Sequence, residues 1–193
     1  LRQGGLGLPD RDYYLAEGFA QQREQYRQHI TAQLRLLGDS QSEAQASAEA
    51  VLSLETRLAK VCRTRTELRD REKNYHKLTR AELDQLTPRL PWGSYFQAAG
   101  IAAPDTLIVG QPEFFRELDR MVTEVEERHW LAYLRWHLLS SLAEHLHSAP
   151  ADGAFGFYGT VLRGQPQPEP RWQRAAKVID GAVGEALGRL YVE

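Results

Sequence analysis

Between Arg128 and His147 leucines recur at 131, 134, 138, 142 and 146, spacings of three and four that gather them on one face of a helix. Trp130, Tyr133, Leu139 and Ala143 widen that face past a narrow coiled-coil seam. At about 1.5 Å per residue the segment would run roughly 30 Å. The pattern predicts a central core helix with its leucines inward, each worth roughly 1.5–3 kcal/mol on burial.

The remaining segments read mostly as helices around it. Tyr26, Ile30, Leu34 and Leu37 mark a helix over 21–37, closed by Gly38. Ser40 and Glu43 then form an S-x-x-E capping box for a helix running to about Cys62, with Ala44, Ala48, Val51, Leu54, Leu58 and Val61 inward. Thr79 and Glu82 form a second box, for a short helix that stops before Pro88. A further helical turn is expected over 94–99. The mixed charges of Arg63–Lys77 read as a solvated connector. Thr106–Gly110 is the one convincing strand, and Pro112 suits the first turn of an amphipathic helix carrying Phe114, Phe115, Leu118, Met121, Val122 and Val125. Pro150 and Gly153 should break the chain, before a short helix over 154–162 and an extended GQPQPEP connector. Arg171–Tyr191 carries a clean apolar stripe, and Gly181, Gly184 and Gly188 within it suggest close approach to a neighbour. The fold class is therefore mainly α: a multi-helix lobe over 1–193 with at most one or two short strands and no internal domain boundary.

Composition adds limits. The 193 residues are 42% hydrophobic and 26% charged, as in an ordinary globular protein. A net charge of −2 gives no footprint for nucleic acid. No apolar run is long enough for a membrane span, and no signal peptide is visible. Cys62 is the sole cysteine, so no internal disulfide can form. The chain opens at Leu1 and stops at Glu193 behind a strong helical pattern, and both ends read as cut from a longer polypeptide.

Four sets of residues are candidates for chemistry. Gly4, Gly5 and Gly7 could cradle a phosphate, but no Gly-Lys-Ser/Thr or GxGxxG pattern follows and Pro9 removes a donor, so a structural turn is expected. Glu55, at the edge of an apolar face, could be a catalytic acid or a metal ligand, and an ion pair with a nearby arginine is the expected reading. Among six histidines no His-Glu-x-x-His occurs. The inverted motif fails at Ser141, which stands where the first ligand of Glu144-His145 should be. His145 and His147 point roughly 200° apart on a helix. His129 and His137 are eight apart and would need a third ligand. Cys62, on the apolar side of its helix, reads as a buried inert thiol. We assign no catalytic, cofactor-binding or metal-ligating residue to this chain.

A family resemblance runs through the same residues. Gly5–Leu15, GLGLPDRDYYL, resembles a signature of the neprilysin-like zinc metallopeptidases, which include endothelin-converting enzymes and bacterial oligopeptidases. The likeness continues through LSLETRLAK (Leu52–Lys60), EKNYHKLTRAEL (Glu72–Leu83), LIVGQPEFF (Leu107–Phe115) and YLRWHLL (Tyr133–Leu139). It closes with FYGTVLRG (Phe157–Gly164) and RWQRAAKVIDGAVGEALGRLYVE (Arg171–Glu193). His76 stands where the family usually carries asparagine, which leaves one local contact in question. The resemblance implies part of the helical, non-catalytic region of a two-lobe zinc peptidase. The zinc motif His-Glu-x-x-His and its downstream glutamate would lie beyond this sequence, in the catalytic lobe of the same polypeptide, so zinc is implied for the parent and not for this chain. It further implies peptide substrates, a cavity that limits their size, and an extracytoplasmic parent. The competing reading is a free-standing helical scaffold or interaction module.

Overall fold

A computed structural model describes residues 1–192. Helices dominate it. A short α1 (Asp12–Leu15) leads through a 3₁₀ turn to α2 (Ala20–Leu36) and α3 (Gln41–Val61). Strand β1 (His76–Thr79), α4 (Arg80–Leu86), α5 (Trp92–Ala98) and strand β2 (Thr106–Val109) follow. Then come α6 (Pro112–Glu124), α7 (Glu127–Leu142), α8 (Ser148–Ala154), a π-helical stretch over Phe155–Val161, and α9 (Arg171–Val192). The mainly α class holds, with two short strands among the described residues.

The local signals perform as expected at the helix starts. Ser40 and Thr79 each accept a hydrogen bond from the amide of the glutamate three residues on, and each glutamate reaches back to the cap amide, satisfying donors that a helix N-terminus leaves free. Gly38 ends α2 at φ +98°, a left-handed conformation that glycine adopts without a Cβ penalty.

The strand pairing was only half legible. β2 needed a partner, and the partner is β1, taken from the end of the supposed connector. The two run antiparallel with His76 opposite Val109 and Thr79 opposite Thr106. His76 Nδ1 donates to the Val109 carbonyl at 3.0 Å, which closes this pair. The backbone of Leu1 extends the ribbon, donating to Ile108 at 2.7 Å and accepting from Gly110 at 2.8 Å.

α3 is the hub of the core. It packs against α1, α2, α6 and α7, and eight of its residues are buried. One apolar cluster joins Tyr14, Tyr26, Ile30 and Leu34 to Ala48, Val51, Trp136, Leu139 and Phe157. A second joins Leu54, Leu58 and Cys62 to Leu83, Trp92, Phe96, Phe114, Phe115 and Met121. Leu6 and Tyr133 touch both. Ion pairs tie the outside of α3 to α6: Arg57 reaches Glu117 at 2.6 Å and Glu124 at 2.5 Å.

Three expectations are corrected. The leucines of α7 face outward: Leu131, Leu134 and Leu138 are 66%, 60% and 62% exposed, whereas Trp136 and Leu139 are buried. α7 has two apolar faces, and the core takes the one whose indole can satisfy a buried hydroxyl, since an unpaired buried donor or acceptor is costly. Leu146 falls beyond the helix, after a 3₁₀ turn over Ala143–His145, and is also exposed. Pro150 and Gly153 do not break the chain. Pro150 sits in the first turn of α8, where its missing N–H costs nothing, and Gly153 lets the Gln33 amide approach the helix and donate to the Pro150 carbonyl at 3.0 Å. Finally, α9 has no buried residue among those described; Gly181 and Gly188 meet nothing within 4 Å, and the helix kinks at Val183.

Candidate functional site

The polar centre of the structure is Glu55, with none of its side chain exposed, on the inner face of α3. The expected arginine partner is not there. Instead the hydroxyl of Tyr14, from α1, donates to Oε2 at 2.6 Å. The hydroxyl of Tyr26, from α2, donates to Oε1 at 3.1 Å, and His137 Nε2, from α7, lies 2.8 Å from the same oxygen. Four helices therefore meet at one carboxylate.

The direction of each bond follows from the next shell. The Leu8 amide donates to the Tyr14 oxygen at 2.8 Å, and Trp136 Nε1–H donates to the Tyr26 oxygen at 2.8 Å. With their acceptor sides occupied, both hydroxyls must give their protons to the carboxylate. Three donors converging on one buried carboxylate offset the loss of its hydration. Burial and the neighbouring Glu55 charge raise the pKa of Tyr14 and of Tyr26, so both hydroxyls stay protonated. Tyr133 is shifted the same way, chiefly by burial.

The glycine-rich opening is a strap across this centre. Tyr133 donates to the Gly5 carbonyl at 2.8 Å, and Gly5 adopts φ +77°. A Cβ on Gly7 would collide with the Tyr26 hydroxyl and come within 3.2 Å of Glu55 Oε1. These glycines allow close approach to α2, α3 and α7, as a turn reading allows and a phosphate cradle does not. Beneath the strap a cleft of about 250 Å³ is lined by Gln3, Pro9, Arg11, Arg63 and Arg65. Its guanidinium groups are engaged: Arg11 with the Cys62 carbonyl at 2.9 Å, Arg63 with Glu113 at 2.5 Å, and Arg65 with Asp10 at 2.7 Å. The Gln3 side chain bridges both backbone groups of Arg63.

Other candidate groups are placed as follows. His29 is buried, stacked 4.9 Å from Phe157, and burial lowers its pKa to about 4, so it is neutral near neutral pH. Cys62 is buried, and burial pushes its thiol up to about 11. His137 is taken by Glu55, and His129 is not brought beside it to complete a ligand set. Ser141 donates to the Leu138 carbonyl on the exposed side of α7. Among the described residues no three His, Cys, Asp or Glu side chains stand together as a metal site, so the residues present do not fit zinc. None of the described helices is long and apolar enough to cross a membrane. The four-helix convergence on Glu55 was missed from sequence, where only the carboxylate's position at the edge of an apolar face pointed to it.

The family model for peptidase family M13 matches residues 1–193 in full. The chain belongs to peptidase family M13. Its place is in the neprilysin-like N-terminal helical region of this metallopeptidase family. The chain is 27% identical over 197 residues to endothelin-converting enzyme 1 of Mus musculus, and 27% identical over 205 residues to neprilysin-3 of Drosophila melanogaster. It spans 26% of the length of each. In structure it is similar to the zinc metalloprotease Zmp1 of Mycobacterium tuberculosis. The match to the open state has a TM-score of 0.95 at 32% identity, and that to the complex with inhibitor 0.95 at 31%. Each covers 99% of this chain and 30% of that one. A partial open state of the same protein scores 0.85. The M13 assignment fits the Glu55 centre, which joins the opening motif, LSLETRLAK and YLRWHLL: three separated stretches of family likeness meet at one carboxylate.

Proposed function

We propose that residues 1–193 form, as one continuous lobe, the non-catalytic helical part of a zinc-dependent metalloendopeptidase acting on short peptides. In this role the lobe walls the substrate cavity and restricts what enters. The observation that carries the reading is the match of this chain, over 99% of its length, to 30% of a zinc metalloprotease in both its open and its inhibitor-bound forms. A wall that excludes large substrates has to be stiff. The Glu55 centre supplies a physical basis for that stiffness, because it ties α1, α2, α3 and α7 through bonds that cannot be exchanged one at a time without stranding a buried donor.

A zinc peptidase gains from such a wall. Enclosing the reaction excludes bulk water and holds an extended peptide in register. Zinc, its ligands and the groups that activate water would come from the catalytic lobe of the same polypeptide, and no residue of this chain takes part in the chemistry. The parent would work in an extracytoplasmic compartment. The test gives the full-length parent a short peptide and a folded protein displaying the same cleavable sequence in an exposed loop. The folded substrate should show a much lower kcat/KM. Comparable values would overturn the size-selection role.

A further inference from the structure

The connector between α3 and β1 carries a charge that the chain as a whole does not. Lys60–Lys77 holds seven lysines and arginines against three carboxylates, in a chain whose net charge is −2. Along the sequence the two signs are interleaved; in the structure they are sorted. Glu67 is turned into the loop, accepting from the amide and the hydroxyl of Thr64, each at 2.8 Å. Asp70 accepts from the Lys73 amide at 3.1 Å. Asn74 donates to the carbonyls of Glu67 and Asp70 at 2.7 and 2.6 Å, folding the loop back on itself. The cations are left outside. Arg69, Arg71 and Lys77 are exposed, and none has a carboxylate partner among the described residues. Exposed Arg2 joins them, since its Cγ and the Asn74 carbonyl converge on Gly110.

Apolar side chains stand among these cations. Lys77 lies opposite Ile108 in the ribbon, and directly opposed residues share a face. The other face packs inward, with Val109 buried and Leu78 and Leu107 against the second apolar cluster. Lys77 and Ile108 therefore look outward, and Ile108 is 45% exposed. Tyr75, two residues before Lys77, is 57% exposed, and Leu68 is 42% exposed.

We infer that this face docks the protein on an anionic phospholipid surface, with the free cations on lipid phosphates and Tyr75, Leu68 and Ile108 at the headgroup boundary. The inference goes beyond the peptidase reading and does not depend on it. Two observations favour a lipid surface over an acidic protein segment. The first is the mixture of side chains. Tyrosine and the long cationic stems each have an apolar body and a polar tip, which suits the layer between water and acyl chains. The second is the cleft of about 250 Å³ beside the loop, the place that could grip an acidic chain. Its guanidinium groups are already paired, Arg63 with Glu113 and Arg65 with Asp10. The free cations belong to the exposed loop instead.

The experiment mixes the full-length parent with vesicles of phosphatidylcholine, alone or with phosphatidylglycerol, and reads the bound fraction by sedimentation at low and high salt. Binding should require the anionic lipid and weaken as salt screens it. Each cation near such a surface is worth roughly fivefold, so Arg69→Glu/Arg71→Glu should lower affinity by well over tenfold. Arg69→Gln/Arg71→Gln should lose less, in the same direction, which separates lost attraction from misfolding. Tyr75→Ser should weaken binding at both salt concentrations. Arg35→Glu/Arg128→Glu makes the same charge change towards the start of α3, a helix of 21 residues and about 30 Å, and should bind nearly as the parent does. Equal binding to phosphatidylcholine alone, no binding to the anionic vesicles, an equal loss in the Arg35/Arg128 pair or an unweakened Tyr75→Ser variant overturns the inference. So does capture of a glutamate-rich peptide through Arg69 and Arg71 with the vesicles left unbound, which would make the partner an acidic protein segment.

Discussion

The Tyr14 hydroxyl stands 2.6 Å from Oε2 of Glu55, 41 positions along the chain, and the Leu8 amide behind it fixes the direction of the proton. One bond thereby links the opening strap, α1 and α3. Glu55→Ala would strand two buried tyrosine hydroxyls and leave the half-buried His137 without its partner. It should cost about 1–3 kcal/mol for each buried hydroxyl left without its acceptor. Glu55→Gln keeps the volume but sets an amide against these donors, so its cost should be smaller yet clear. Urea denaturation of the two variants checks the order, and unchanged midpoints would refute it.

Gly7 makes a sharper probe of the strap. A methyl group there pushes on the Tyr26 hydroxyl, which Trp136 and Glu55 hold from two sides. Gly7→Ala should therefore destabilise by about 1–3 kcal/mol, as overpacking does. Gly18, with nothing within 4 Å, is the control, and Gly18→Ala should stay within about 0.5 kcal/mol. Equal midpoints for the two variants would count against close approach at Gly7.

His29 predicts the acid side of stability. Its folded pKa, about 4, lies below the ordinary 6.5, so the unfolded chain takes up the proton first as pH falls. Above 6.5 both states are neutral there and His29 contributes no pH dependence. Between 6.5 and about 4 stability should decline, by up to about 3 kcal/mol in all. The His29→Gln variant, which cannot titrate, should lose less than the parent chain across that window. Parallel midpoint-versus-pH curves would exclude His29 as the cause.

Cys62 should be inert in the folded chain. A thiol raised to about 11 by burial has little thiolate at pH 8 and little access. Because it is the sole cysteine, total thiol titration reports on it directly. Reaction should begin only with unfolding, and rapid reaction in native buffer would show the site to be open.

Zinc should not bind stoichiometrically to this chain. Metal analysis after dialysis checks this, and one tightly held zinc per chain would contradict it. The reason is spatial: His137 is committed to Glu55, His29 is stacked in the core, and His76 closes the strand pair.

What was legible in the sequence was what depends on neighbours within a turn or two. The capping boxes at Ser40 and Thr79, the glycine stop at Gly38 and the proline start of α6 are satisfied inside a few residues. The family motifs were legible too, because they are contiguous strings. The tertiary structure decided what depends on choice among equals. Periodicity placed Leu131, Leu134 and Leu138 together on one side of α7, but it could not say whether that side or the one carrying Trp136 meets the core. That choice belongs to Glu55, whose partners lie 41, 29 and 82 positions away and whose burial demands that the donor-bearing face turn inward. A hydrophobic pattern ranks faces by apolar content alone. The folded chain also has to satisfy every polar group it buries, and that requirement exists only once the helices are brought together.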